Sequence, residues 1–61
     1  MENKEEIQNG LIEKALKEYK KIEPCRPKKS FEECFTYLPD KVIFWFNVED
    51  NSTKVFIHDL S

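Results

Sequence analysis

The sequence predicts an α+β domain, in which one N-terminal amphipathic helix packs on one face of a three-stranded antiparallel β-meander (α-β-β-β). Apolar residues recur every three or four positions early in the chain and every second position in its last half. The 61 residues, of which 39% are hydrophobic and 36% charged, suit one small domain. We therefore expect residues 1–61 to form a single domain, with a helix over about 5–22, a connector over 23–33 and the meander over 34–58.

The helix is predicted from an apolar stripe with helical spacing, which consists of Ile7, Leu11, Ile12, Ala15, Leu16, Tyr19 and Ile22. Lysine and glutamate side chains occupy the opposite side. Gly10 disfavours a helix interior by about 1 kcal/mol relative to alanine. Asn9 is a residue type that often caps a helix N-terminus. These two residues predict that the firm part of the helix begins near Gly10.

The connector is predicted from Pro24 and Pro27, because neither residue can continue a helix. Ser30 followed by Glu33 then matches the capping-box pattern. The sequence leaves open whether residues 30–34 form a helical turn or begin the first strand.

Three strands are predicted near residues 34–38, 41–48 and 53–58, because turn residues separate segments with a period of two. The glycosylation sequon at residues 51–53 is interpreted as part of a turn. If Pro39-Asp40 and Asp50-Asn51 are the two loop tips, the register of both hairpins follows. It pairs Tyr37 with Val42, Phe35 with Phe44, Phe46 with Val55, and Phe44 with Ile57.

The same register predicts a second apolar surface on the other face of the sheet. One helix covers only one face, and a contiguous exposed apolar patch usually marks an interface. We therefore expect a protein interface that serves a homodimer, the commonest oligomer, or another protein partner. Its predicted residues are Ile43, Trp45, Phe56, Cys34 and His58.

Catalysis is not expected from this sequence. Cys34 and His58 form the one thiol–imidazole combination of interest, but strands one and three would hold them about 10 Å apart. A nucleophile and its base need roughly 3 Å. Two cysteines and one histidine are too few for a closed zinc site, and a single glycine is too few for a phosphate-binding loop. We expect no metal and no cofactor.

Nucleic-acid binding is the alternative function, because basic residues are concentrated in the helix and connector. The residues concerned are Lys14, Lys17, Lys21, Arg26, Lys28 and Lys29. A net charge of −2 and an acidic second half make this alternative less favourable than protein interaction.

The expected location is the cytoplasm, without membrane association. No apolar segment approaches the roughly 20 residues that span a bilayer, and the N-terminus lacks the pattern of a signal peptide. In such a compartment the two cysteines are expected to remain thiols. The sequence therefore predicts a small non-enzymatic protein-interaction or regulatory module.

Overall fold

The structure, a computed structural model, describes residues 3–27 and 29–60. It confirms the α+β class, with an N-terminal helix followed by an antiparallel sheet. The sheet has a fourth, short strand where the predicted helix was to end and the predicted connector to begin. The elements are α1 (Lys4–Glu18), β1 (Ile22–Pro24), a 3-10 helix (Phe31–Cys34), β2 (Phe35–Tyr37), β3 (Lys41–Val48) and β4 (Thr53–Asp59).

Helix α1 begins and ends earlier than the sequence predicted. Asn3 caps its N-terminus, because the Asn3 side chain accepts a hydrogen bond of 2.8 Å from the backbone N–H of Glu6. The predicted cap, Asn9, is therefore wrong, since Asn9 lies inside the helix. The helix ends where Tyr19 adopts an extended backbone conformation. No helix in the described part of the chain is long and apolar enough to cross a membrane.

Strand β3 is the centre of the sheet. Strand β4 pairs with it along one edge over seven residue pairs. Strand β1 pairs opposite Phe46–Val48 and β2 opposite Val42–Phe44, so these two short strands share the other edge of β3. Burial of Ile22 against the core stabilises β1 in place of a fifth helical turn.

A three-residue loop, Glu49–Asn51, sets the register between β3 and β4. Asn51 has a positive φ of 68°, as expected for the last residue of such a loop. The backbone N–H of Val48 donates to the Ser52 carbonyl at 3.0 Å and closes the hairpin. The pairs are therefore Phe44 with Phe56 and Trp45 with Val55.

The predicted two-residue tip is thus wrong by one residue, and the predicted pairs of β3 with β4 are wrong with it. The predicted pairing of the preceding hairpin is confirmed, because Phe35 lies opposite Phe44 and Tyr37 opposite Val42.

The core lies between α1 and the face of the sheet that we call the inner face. Aromatic rings follow one another across this face: Phe44 stacks on Phe35 at 4.5 Å and on Phe46 at 4.9 Å between ring centroids. Phe56 adds an edge contact to Phe46 at 5.1 Å. The helix completes the core with three buried residues, Ile7, Leu11 and Ala15. The helix covers the inner face, and no other helix or strand of the described residues covers the opposite, outer face.

Candidate protein-interaction surface

Four apolar side chains form the centre of the outer face. Ile43 and Trp45 on β3 lie directly opposite Ile57 and Val55 on β4. Trp45 is 40% exposed, Val55 38% and Ile57 51%, while Ile43 is partly buried. We call these four residues the outer patch. Side chains at opposite positions on two paired strands are close enough to contact one another. A contiguous patch of large, exposed apolar side chains is typical of an interface.

The indole of Trp45 is oriented by its own chain. Its Nε1–H donates to the Thr36 hydroxyl on β2 at 3.2 Å. The ring nitrogen therefore has a hydrogen-bond partner within the monomer, and the remaining ring surface is apolar. A tryptophan whose polar atom is already satisfied can be covered by an apolar partner without loss of a hydrogen bond.

Polar pairs lie at both ends of the outer patch. At one end the Thr53 hydroxyl donates to the Asn47 side chain at 2.9 Å. At the other end Lys41 lies opposite Asp59 in the β3–β4 ladder. The outer face therefore has an apolar centre, a neutral polar pair at one end and a pair of opposite charges at the other, and a polar rim around an apolar centre is common in protein interfaces.

Only part of the predicted interface lies on this face. Ile43 and Trp45 do, but the placement of Phe56 and His58 there is wrong because of the one-residue register difference. The Phe56 ring contacts Phe46 on the inner face, and His58 lies opposite the buried Val42 and beside α1.

Sequence reasoning missed Val55 and Ile57. The segment Glu49-Asp50-Asn51 contains a signal that could have placed them on the outer face. Asparagine in its third position favours a three-residue loop with a positive φ at that residue, and this loop length sets the register of β4.

The placement of Cys34 on the outer face is also wrong. Cys34 is the last residue of the 3-10 helix, only 1% exposed, and its Sγ donates to the Ser30 carbonyl at 3.1 Å. The helical turn directs this side chain inward, whereas a strand would have placed it outward. Cys34 precedes β2 and His58 lies on β4, so the central strand separates them by two strand spacings, about 10 Å.

Those basic residues of the alternative function that the structure describes do not form one surface. The Lys14 ammonium lies 5.1 Å from the centre of the Phe56 ring, on the helix side of the domain. Lys21 forms an exposed ion pair with Glu23 at 3.5 Å. Arg26 lines a shallow depression with Trp45, on the outer face. The set is thus distributed over both layers; Lys17 and Lys29 are exposed, and Lys28 lies outside the described residues.

Across residues 3–27 and 29–60, no group of three or more His, Cys, Asp or Glu side chains is arranged to hold a metal ion. Comparison of the chain with protein-family models, with curated proteins and with solved structures finds no match in any of the three.

Proposed function

We propose that the protein is a small, non-enzymatic, cytoplasmic interaction or regulatory module that forms a homodimer through the outer patch. The observation that carries the proposal is the exposure of Trp45, Val55 and Ile57 in adjacent positions on a sheet face that no helix or strand within residues 3–27 and 29–60 covers. A domain of this size has a small core, so covering these side chains also contributes stability.

A second copy is the occupant that fits this face by symmetry. Consider a two-fold axis that runs parallel to the strands, between β3 and β4. It places β3 of one copy over β4 of the other, so that Trp45 covers the other copy's Val55 and Ile43 covers its Ile57. Two sheets that pack in this way keep their strands nearly aligned.

The charges on the face support the same axis. Lys41 and Asp59 occupy opposite positions in the ladder, so the two-fold axis brings Lys41 of each copy over Asp59 of the other. An axis along β3 itself would instead place Lys41 of one copy over Lys41 of the other, so that two positive charges would face each other. The proposed axis is thus the one that matches apolar with apolar and positive with negative.

The area of this contact indicates a weak dimer. Two strands of this length cover a surface on the order of 10 Å by 25 Å per copy. A standard stable interface buries about 800 Å² per partner. We therefore expect reversible association with a dissociation constant in the micromolar range or weaker, as is usual for small contacts.

Sedimentation equilibrium over a wide concentration range, from micromolar to near millimolar, tests the proposal. We expect the wild type to change from monomer to dimer, and Trp45→Lys to remain monomeric because a lysine would be buried opposite an apolar surface. Leu16→Lys is the matched control, since Leu16 is 49% exposed on the helix side of the domain. This control variant should dimerise like the wild type.

Two results would contradict the proposal. One is a wild-type protein that stays monomeric at every concentration. The other is a dimer that survives Trp45→Lys but is lost in Leu16→Lys, which would place the contact on the helix.

Charge variants test the axis separately. Lys41→Asp and Asp59→Lys should each weaken self-association, because each places two charges of the same sign over one another across the contact. Mixing the two variants should restore a dimer that contains one copy of each. A mixture that associates no more strongly than either variant alone would contradict the proposed axis.

Nucleic-acid binding has less support from the structure. Lys14 and Arg26 lie on different layers of the domain, so a single duplex or strand would not contact both without wrapping around it.

A further inference from the structure

The two cysteines, which the sequence separates by eight residues, are neighbours in the fold. Cys25 follows β1 directly and Cys34 ends the 3-10 helix before β2. Both are buried thiols. The backbone N–H of Cys25 donates to the Sγ atom of Cys34 at 3.1 Å. This contact is direct evidence that the Cys34 sulfur lies against the backbone of Cys25.

The distance is short enough for a disulfide. Standard bond lengths and bond angles, combined with the 3.1 Å contact, keep the two Cα atoms within about 7 Å of one another. Disulfides span Cα distances of roughly 4.4–6.8 Å. We propose that Cys25 and Cys34 form a redox-active thiol pair that closes to an intramolecular disulfide when the protein meets hydrogen peroxide or a small-molecule disulfide.

Strand pairing holds the two cysteines in this position. Pro24 pairs with Phe46, and Phe35 pairs with Phe44, so β1 and β2 approach one another along the same edge of β3. Continuing each register by one residue brings both cysteines to the level of Trp45. The central strand therefore fixes both ends of the connector, which keeps the two cysteines at neighbouring positions along the same edge of β3.

Cys25 is the thiol that a small oxidant reaches first. It is 6% exposed and lines the depression on the outer face, next to Arg26, Thr36 and Trp45, whereas Cys34 is 1% exposed. The proposed dimer contact uses β3 and β4, so it covers the Trp45 side of this depression and leaves the side formed by Cys25, Arg26 and Thr36 outside the contact. The order of reaction is therefore Cys25 first and Cys34 second.

Peroxide oxidises the two thiols in two steps, and the proton that each thiol releases ends on a leaving oxygen. The Cys25 thiolate attacks one peroxide oxygen, the O–O bond breaks, and Cys25 becomes a sulfenic acid while the other oxygen leaves as water. The Cys34 thiolate then attacks the Cys25 sulfur, the S–S bond forms, and the sulfenic oxygen leaves as a second water. The two thiols lose two electrons in total, and one peroxide molecule is reduced to two waters.

Intact-mass measurement after oxidation under native conditions tests the proposal. The reduced protein is treated with hydrogen peroxide or oxidised glutathione, then unfolded in the presence of N-ethylmaleimide. We expect a species that has lost two hydrogen atoms and takes up no maleimide. Trypsin separates the two cysteines, since it cleaves after Lys21, Lys29 and Lys41. The linked pair of peptides therefore identifies the bond.

A comparison with the unfolded chain shows whether the fold promotes the reaction. In the same glutathione redox buffer, the ratio of the disulfide form to the dithiol form should be at least tenfold higher for native protein than for protein unfolded with urea. The reason is that the fold raises the effective concentration of one thiol at the other. Trp45 fluorescence should decrease on oxidation, since Trp45 and Cys25 line the same depression.

Single-cysteine variants assign the roles. Cys34→Ser should accumulate a glutathione adduct on Cys25, and Cys25→Ser should react more slowly because Cys34 is the more buried thiol. The proposal would be overturned by native protein that retains two maleimide-reactive thiols, that forms only disulfides between chains, or that forms the internal bond no more readily than the unfolded chain. All three outcomes are measured on the wild-type protein, so they test the proposal even if a single-cysteine variant fails to fold.

Discussion

Trp45 lies directly opposite Val55 across the β3–β4 ladder, on the face of the sheet that α1 does not cover. The neighbouring residue on β4, Phe56, consequently points inward, where its ring lies 5.1 Å from that of Phe46. This one relationship decides which β4 side chains belong to the core and which belong to the outer patch.

The register predicts opposite outcomes for two adjacent lysine substitutions. Phe56→Lys should destabilise the fold by about 2–4 kcal/mol, because it replaces a ring in the core with a charge. Val55→Lys should change the stability of the monomer by less than about 1 kcal/mol, because Val55 is exposed. Urea unfolding at low protein concentration measures both. A larger loss for Val55→Lys would contradict the register.

Sequence reasoning could predict the fold class and the β2–β3 register, since turn residues at Pro39-Asp40 and alternating apolar residues agree on one pairing. It could not predict the β3–β4 register. The residues Val55, Phe56 and Ile57 are all apolar, so the hydrophobic pattern favours neither face of β4. The decision depends on whether the loop holds two residues or three, and asparagine at position 51 favours three residues too weakly to settle the register without its observed positive φ.

Other differences also have local causes. Strand β1 ends at a proline and has three residues, and a segment of this length is too short for a periodic signal. Cys34 turns inward because a 3-10 helix, and not a strand, precedes β2. For the candidate site, Ile43 and Trp45 were predictable because β3 has one consistent alternation. Val55 and Ile57 were not, because they depend on the loop.

The positive φ of Asn51 leads to a prediction about the β3–β4 loop. Asn51→Ala should destabilise the protein by about 1 kcal/mol, because a Cβ without a compensating polar group is unfavourable in this conformation. Asn51→Gly should be neutral or slightly stabilising, because glycine adopts a positive φ freely. Thermal or urea unfolding distinguishes the two. Equal effects of alanine and glycine would argue against the three-residue loop.

Asp50 leads to a prediction about pH. Hydrogen bonds from the Ser52 side chain and from the Ser52 backbone N–H lower the pKa of Asp50 below its ordinary value of 3.8. A carboxylate with a lowered pKa in the folded state stabilises the fold fully above the ordinary pKa, and this contribution is lost as the pH falls through the lowered pKa.

Stability curves from about pH 6 to about pH 2.5 for the wild type and Asp50→Asn test this linkage. Asparagine keeps the accepting oxygen but does not titrate. The difference in the free energy of unfolding between the wild type and Asp50→Asn should therefore decrease as the solution becomes acidic. A difference that stays constant over this pH range would contradict the lowered pKa.

The start of α1 gives a prediction with an internal control. Asn3→Ala should destabilise the protein by about 1 kcal/mol, because it removes the cap that accepts from the Glu6 backbone. Asn9→Ala should be neutral or stabilising, because Asn9 is an exposed position inside the helix and alanine is the better helix former. Urea unfolding followed by circular dichroism compares them. The reverse order would place the cap at Asn9.

The central claim is that the outer patch of one copy covers the outer patch of another, and an isotope-filtered NOE experiment tests it most directly. Copies with ¹³C-labelled valine and isoleucine methyl groups are mixed with unlabelled copies at a concentration where dimers form. The account predicts intermolecular NOEs from the Trp45 indole protons to the methyl groups of Val55. Intermolecular NOEs that involve only helix residues, or none from Trp45, would contradict it.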